Sequence, residues 1–496
     1  MRLSFRNLVP LTLAVLLAAA CTVQRNPVTG NQRLMAYTWS QEVEIGREVD
    51  QEFSAQFGLY DNQEIADYIE RLGQEVLTVS HMRREETDRQ FRETEFFFRV
   101  LDSPVINAFA LPGGYVYVTR GLLSHLNNEA QLVVVLGHEI GHVAARHASQ
   151  RALRQNLGQI AIIGGAILGQ EFLGLPGESI MELSSQAAQL IFLSYGRDAE
   201  RESDRLGVEY AARLGYEASE GAAFFTSLKR ISDHHGHSIP TMLSSHPDPG
   251  ERESNIPRLA QQWAERGFEQ HLRNEESYLR MLEGMIVGDN PREGFVTDNR
   301  FVHPDLAFAF PVPSGWQLVN ERQQVVLIAP EENAVMILRL DNTADTPQAS
   351  VDAFTSQEGV TLNSQSERTL ESGLRAFKAD VTIPQDRGNL RALIYAVAHG
   401  DHIYRFINYT TESTFDTHEQ TLHMVPEGFH TLTDQHLLDT QPARIRLVQV
   451  DDPASFRSFL PASLPQGLTA EELAILNQVE LDETMPAGRL LKIPAQ

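Results

Sequence analysis

The sequence predicts an α+β protein of several domains, and three observations carry that expectation. A chain of 496 residues is too long for one hydrophobic core. Up to about residue 290 the apolar residues recur mostly at helical spacing, with one strand and one hairpin set among them. Beyond about residue 295 the pattern changes to alternation, the mark of strands.

The first residues read as a targeting segment. Arg2 and Arg6 precede an apolar run from Leu8 to Ala20 that is too short for a permanent membrane span. The run ends Leu17-Ala18-Ala19-Ala20-Cys21, which resembles a bacterial lipoprotein signal cut before Cys21. That resemblance implies a signal peptide over 1–20, acyl chains on Cys21 that hold the protein to a membrane surface, and, because Thr22 follows the cysteine, sorting to the outer membrane. A plain signal peptide with Cys21 incidental is the competing reading. Cys21 is the only cysteine, so no disulfide forms within the chain and a cysteine-built zinc site is excluded. Residues 21–39, with Arg25-Asn26-Pro27-Val28-Thr29-Gly30-Asn31 at their centre, read as a turn-rich lipidated tether.

Helices are expected between Ser40 and Leu77. There Ile45, Val49, Phe53 and Phe57 fall four apart, and Ile65, Tyr68, Ile69, Leu72 and Val76 share a face. Thr94–Leu101 is a strand, and Asn107–Leu111 and Tyr115–Thr119 flank the turn signal Pro112-Gly113-Gly114 as a hairpin. Further helices are expected over Asn128–Ser149, across 150–195 with breaks, and over Asp198–Leu214; the apolar, Gly-rich Ile160–Leu175 reads as a buried or loop-like helix. Residues 40–290 thus form a first, mostly helical domain with a small sheet. Residues 300–440, with alternating segments at Val325–Ile328, Ala334–Leu340, Phe377–Ile383 and Leu393–Tyr409, form an α+β accessory domain, and 443–496 a small third unit. The formal charge of −25, with Lys and Arg outnumbered 41 to 66 and no basic cluster, excludes a nucleic-acid partner.

The chemistry concentrates at His138-Glu139-Ile140-Gly141-His142. Residues four apart on a helix share a face, so both imidazoles converge on one cation, and Glu139 reaches a metal-bound water without ligating the metal. The preceding Leu132–Leu136 is apolar all round and therefore buried, and two histidines and a glutamate there are costly unless they have a partner. A catalytic Zn2+ site, one ion per chain, needs a third protein ligand. Glu200 supplies it, and Asp204, four residues on, accepts the free N–H of a zinc-bound imidazole. Glu202 points elsewhere. His147, five residues past His142, turns off the ligand face and is structural, and His234-His235-Gly236-His237 is a polar loop.

These motifs, with Val143-Ala144-Ala145-Arg146-His147, Asn107 to Gly114, Glu200-x-Glu202-x-Asp204-x-x-Gly207, and Ser245-His246-Pro247 with Arg252, resemble the gluzincin metallopeptidases of family M48, the BepA, HtpX and CAAX prenyl-protease type, over roughly residues 26–260. The resemblance implies a zincin-like domain acting as a zinc endopeptidase. It further implies an edge strand at Asn107, Ala108, Phe109 and Ala110 onto which extended substrate adds, and His246 or Arg252 as oxyanion helper. His246 could instead be a fourth zinc ligand that keeps the enzyme latent, or cap a turn before Pro247. The implied setting is the periplasm, with misfolded or stalled envelope proteins as substrates. An assembly factor that binds unfolded chains, with proteolysis latent, is the alternative. Residues 443–494 resemble a LysM module, which implies peptidoglycan as a further partner.

Overall fold

The computed structural model describes residues 22–154, 195–234, 242, 245–246, 249–385, 388–465 and 467–495, which form two compact units of mixed helix and sheet. Cys21, the leader before it, Ile160–Leu175 and His235 to His237 lie outside the described residues. No helix among the described residues is long and apolar enough to cross a membrane.

The first unit takes in described residues up to 289 and again from 443. It opens with the antiparallel hairpin β1 (Thr22–Arg25) and β2 (Gln32–Met35). Sequence reads this stretch as a tether, yet it is pinned down. The Asn26 carboxamide gathers the backbone N–H groups of Val28 and Thr29 at 2.9 and 3.1 Å, which closes the turn. Two helices follow, α1 (Trp39–Phe57), opened by a Thr38–Gln41 capping box, and α2 (Gln63–Val79), capped by Asn62. The strands β3 (Phe97–Leu101), β4 (Ala108–Leu111) and β5 (Tyr115–Thr119) make a sheet of order β3-β5-β4, with β4 at an edge and antiparallel to β5. Gly113 and Gly114 take positive φ at the hairpin turn and press against α1 and Phe96, where a Cβ would lie 2.5 to 2.8 Å from backbone atoms.

Helix α3 (Arg120–His125) leads to α4 (Glu129–Ala145), in which every residue is buried. Asn128 caps its start, and Arg146 ends it in a left-handed conformation at φ 59°. Helix α5 (Arg197–Arg213) crosses α4 in backbone-to-backbone contact. A Cβ on Gly207 would lie 2.7 Å from the Val134 carbonyl oxygen, and one on Gly137 would lie 3.0 Å from the Gly207 Cα. Helices α6 (Gly221–His234), α7 (Pro249–Glu265) and α8 (Glu275–Met281) complete the bundle.

The second unit, from 290 to 442, begins with β6 (Phe295–Thr297), β7 (Arg300–His303) and β8 (Phe308–Pro311), which form a small sheet with His430–Thr431. Its main sheet is antiparallel, of order β12-β13-β14-β15-β11-β10-β9: β9 (Gln317–Glu321), β10 (Gln324–Ile328), β11 (Ala334–Leu340), β12 (Thr361–Thr369), β13 (Arg375–Ile383), β14 (Leu390–His399) and β15 (His402–Thr411). The apolar run Leu393–Tyr409 is two strands, folded back at Gly400-Asp401. Helix α9 (Pro347–Thr355) packs Val351 and Phe354 on one face of the sheet, and α10 (Phe415–Glu427) packs Leu422 and Val425 on the other.

Residues from 443 return to the first unit. Strands β16 (Arg444–Gln449) and β17 (Leu490–Ala495) pair antiparallel, with helix α11 (Ala470–Leu476) beside them. Ile445 and Leu476 join the same apolar core as α4. Lys492, 1% exposed, donates to the Ser124 and Leu126 carbonyls at 2.6 and 2.8 Å, at the C-terminal end of α3.

Candidate metal centre

Helices α4 and α5 approach this closely because glycines sit at their crossing, and that approach brings the polar residues of both together. His138 and His142 project from one face of α4, Glu200 and Asp204 from one face of α5. His246 stands three residues before α7, and Arg252 lies in its first turn. The Nε2 atoms of His138 and His142 lie 2.9 Å apart, and His246 Nδ1 lies 3.2 Å from His138 Nε2. Glu200 Oε2 is 3.1 Å from His246 Nδ1 and 3.5 Å from His138 Nε2, and Glu200 Oε1 is 3.5 Å from His142 Nε2. One donor atom from each of the four falls within 4.8 Å of all the others, and all four residues are buried.

This geometry fits a metal ion. Four donors on a tetrahedral Zn2+, each at about 2.0–2.1 Å, stand about 3.3 Å from one another. Ring nitrogens that face each other at such distances cannot all donate, and a cation between them satisfies every lone pair. The charges agree, since Glu139, Glu200 and Asp204 are buried against the single Arg252 guanidinium. Burial opposes a charged His138 ring, yet Asp204 and Glu200 outweigh it and push its pKa up to about 9. Burial likewise pushes the Glu200 carboxyl up, but the three rings around it hold it well below the ordinary carboxylate range. Burial drives His142 far below the ordinary imidazole value, which keeps its ring neutral and its lone pair available.

A second layer orients these groups. Asp204 Oδ1 lies 2.8 Å from His138 Nδ1, close but poorly aligned as a hydrogen bond. Arg252 donates from Nε to Asp204 at 2.8 Å, from Nη2 to Glu200, and from Nη1 to the His246 carbonyl at 3.1 Å. All three guanidinium nitrogens are thus engaged, two of them with the Asp204 and Glu200 carboxylates. Glu202 pairs with His147 Nε2 at 3.3 Å, away from the cluster.

Two contacts were not legible in the sequence. Because Arg146 breaks α4 with a left-handed turn, His147 swings back and sets its Nδ1 3.0 Å from His142 Nδ1. Tyr195 stacks on the His142 ring at 4.1 Å between centroids, and its backbone N–H donates to Ser245. His147 closes the Val143-Ala144-Ala145-Arg146-His147 motif, yet its spacing from His142 gives no sign of this contact. Tyr195 belongs to no motif, and its only sequence signal is its nearness to Glu200.

Glu139 is fully buried, and neither of its carboxylate oxygens has a hydrogen-bond partner among the described residues. Glu139 Oε1 lies 3.6 Å from His246 Nε2. Burial raises its pKa, as befits a group that takes up a proton. Asn107, Ala108, Phe109 and Ala110 lie at and along β4, whose outer edge has no strand partner among the described residues. The Asn107 side-chain oxygen is buried and unpaired.

Residues 67–260 match the family model for Peptidase family M48. The chain is 36% identical over 177 residues to the mitochondrial metalloendopeptidase OMA1 of Bos taurus, covering 34% of this chain and 33% of that one. It is 31% identical over 206 residues to the beta-barrel assembly-enhancing protease of Yersinia pestis (40% of this chain, 39% of that one). It is 28% identical over 228 residues to the protein of that name from Escherichia coli (strain K12), covering 45% and 44%. The chain therefore spans between a third and a half of the length of these relatives. His138, Glu139, His142, Glu200, Asp204, His246 and Arg252 all fall within the segment that matches the Peptidase family M48 model, so the chain carries a metallopeptidase domain over residues 67–260.

Proposed function

We propose that the protein is a zinc-dependent endopeptidase of the bacterial envelope, with His138, His142 and Glu200 as metal ligands and Glu139 as general base. The observation that carries this reading is a buried carboxylate, with neither oxygen hydrogen-bonded among the described residues, beside a knot of four buried donors. A bound zinc ion lowers the pKa of a coordinated water and polarises a carbonyl oxygen. Glu139 accepts the water proton and returns it to the leaving amine. Asp204 holds the His138 ring, His147 and Tyr195 hold the His142 ring, and Arg252 fixes both carboxylates; it acts by positioning and does not touch substrate. Extended substrate adds to the free edge of β4, which suits unfolded chains because backbone pairing tolerates many sequences. Envelope polypeptides as substrates, a lipid anchor on Cys21 and a periplasmic, outer-membrane location complete the proposal. They rest on the signal-like N-terminus and on the relatives named for β-barrel assembly.

His246 favours a second role. As a fourth donor beside His138, His142 and Glu200, it would occupy the place that a catalytic zinc site keeps open for water. Proteolysis is then latent until His246 moves, and the resting protein can hold unfolded chains without cutting them. Glu139→Gln tests both readings. It should retain zinc and lose more than about a hundredfold of casein-digesting activity, consistent with the weight of a positioned general base. A fully active mutant removes Glu139 from the mechanism. A cleavage-dead mutant that sustains function in cells makes binding the main role.

A further inference from the structure

Among the described residues the two most exposed large apolar side chains are Val23, at 64%, and Leu34, at 46%. They are direct cross-strand partners in the β1–β2 hairpin, so they share its outward face. The opposite face, with Gln24 and Met35, turns inward. Gln24 Oε1 accepts from Arg146 at 3.1 Å and from the Trp39 backbone at 3.2 Å, and Met35 is fully buried. Asn26 Nδ2 donates to the Ala145 carbonyl at 2.9 Å, and the Tyr37 N–H donates to Ser149 Oγ at 3.1 Å. The hairpin is therefore fixed to the C-terminal end of α4, the helix that carries His138 and His142.

Val23 is two residues from Cys21, which puts their Cα atoms no more than about 7 Å apart. A lipid on Cys21 leaves no slack between bilayer and hairpin. We infer that the Val23–Leu34 face of the β1–β2 hairpin lies on the membrane, its two side chains in the boundary between headgroups and acyl chains. The metal-bearing helix is then held at the bilayer surface rather than swung on a tether. The occupant is the bilayer because the patch is small, adjoins the acylated residue, and is continuous with no other large exposed apolar side chain of the hairpin. Arg25, on the same outward face, is 53% exposed at its side chain and sits at headgroup height, although it also pairs with Asp88 at 3.4 Å.

This inference rests on lipidation of Cys21, and the test separates the two. Because Cys21 is the only cysteine and acylation consumes its thiol, one new cysteine can be labelled specifically. Full-length Leu34→Cys and, as control, Leu362→Cys, 43% exposed on the other unit, are expressed with their leaders, labelled with NBD and reconstituted into phosphatidylethanolamine–phosphatidylglycerol vesicles. Incorporation of radiolabelled palmitate reports the acylation. The expected result is palmitate incorporation, flotation with vesicles, and reduction of NBD at residue 34 by external dithionite at least fivefold slower than at 362. Val23→Glu in the Leu34→Cys background should abolish that protection without releasing the protein from vesicles. Palmitate incorporation with equal dithionite rates at 34 and 362 overturns the docking and leaves the anchor standing. Absence of palmitate and of flotation overturns the anchor and the docking together.

Discussion

Replacing Gly207 with alanine tests the helix crossing that assembles the metal centre. The new Cβ would lie 2.7 Å from the Val134 carbonyl oxygen and 3.0 Å from the His138 backbone nitrogen. Ordinary contact begins near 3.4 Å, so α4 and α5 must part by about 0.7 Å, and neither obstacle is a side chain that can rotate away. Overpacking of this kind costs about 1–3 kcal/mol, while removing a helical glycine returns about 1 kcal/mol, so apo stability should fall by about 0–2 kcal/mol. The metal is the sharper probe. Zinc sites tolerate about 0.2 Å in ligand distance, and His138 and Glu200 sit on the two helices being separated. Zinc affinity should fall on the order of 10- to 100-fold, the size of effect seen when a residue that orients a ligand is lost. Competition with a chromophoric chelator measures it. Gly196→Ala is the control, since its methyl meets only the Arg154 guanidinium, at 3.7 Å, four residues before Glu200. Wild-type zinc affinity in Gly207→Ala would refute the argument that this contact sets the donor geometry.

Two further outcomes are expected. Glu200→Gln should lose most bound zinc, whereas Glu202→Gln, whose carboxylate pairs with His147 and Arg205, should keep it; elemental analysis of both proteins decides, and equal losses would reject the ligand choice. Stability should also fall in mild acid. Burial depresses the His81 pKa from 6.5 to about 4, with Arg84 adding to the effect, so the ring is neutral in the fold while the unfolded chain takes up a proton below pH 6.5. The stabilisation is complete above about pH 6.5 and is lost as pH falls toward 4, a change of about 3 kcal/mol. Urea titrations of zinc-free protein at pH 7 and 4.5 should show His81→Gln to be less pH-sensitive than wild type, and parallel behaviour would contradict this.

Much of the site is readable from local spacing. His138 and His142 share a face because they are four apart, and Glu200 and Asp204 do so for the same reason. The Pro112-Gly113-Gly114 turn announces the hairpin that ends in β4, because only glycine suits its positive φ and close packing against α1. What spacing does not carry is long-range partnership. Arg146 continues a helical pattern in sequence, yet it is buried in a left-handed conformation, held by Glu42 at 3.0 Å and the Tyr37 carbonyl at 2.9 Å, residues a hundred positions away. That break alone returns His147 to His142. The N-terminal hairpin was opaque for a similar reason. Asn26, Pro27 and Gly30 signal a turn, but nothing local states that Asn26 caps the end of α4. Segment 443–495 reads as separate in sequence, while its attachment comes from partners hundreds of residues earlier: Ile445 and Leu476 join the core of α4, and Lys492 donates to the Ser124 and Leu126 carbonyls.

The central claim is that two imidazoles from α4 and a carboxylate from α5 bind one zinc ion, with His246 close enough to complete the set. Zinc-edge X-ray absorption on the purified, zinc-loaded protein tests it most directly. The account predicts one zinc per chain with four nitrogen or oxygen neighbours at about 2.0–2.1 Å, and the imidazole scattering reduced by one ring in His246→Ala. A sixfold all-oxygen shell without imidazole, or a spectrum unchanged by Glu200→Gln and His142→Ala alike, would contradict it.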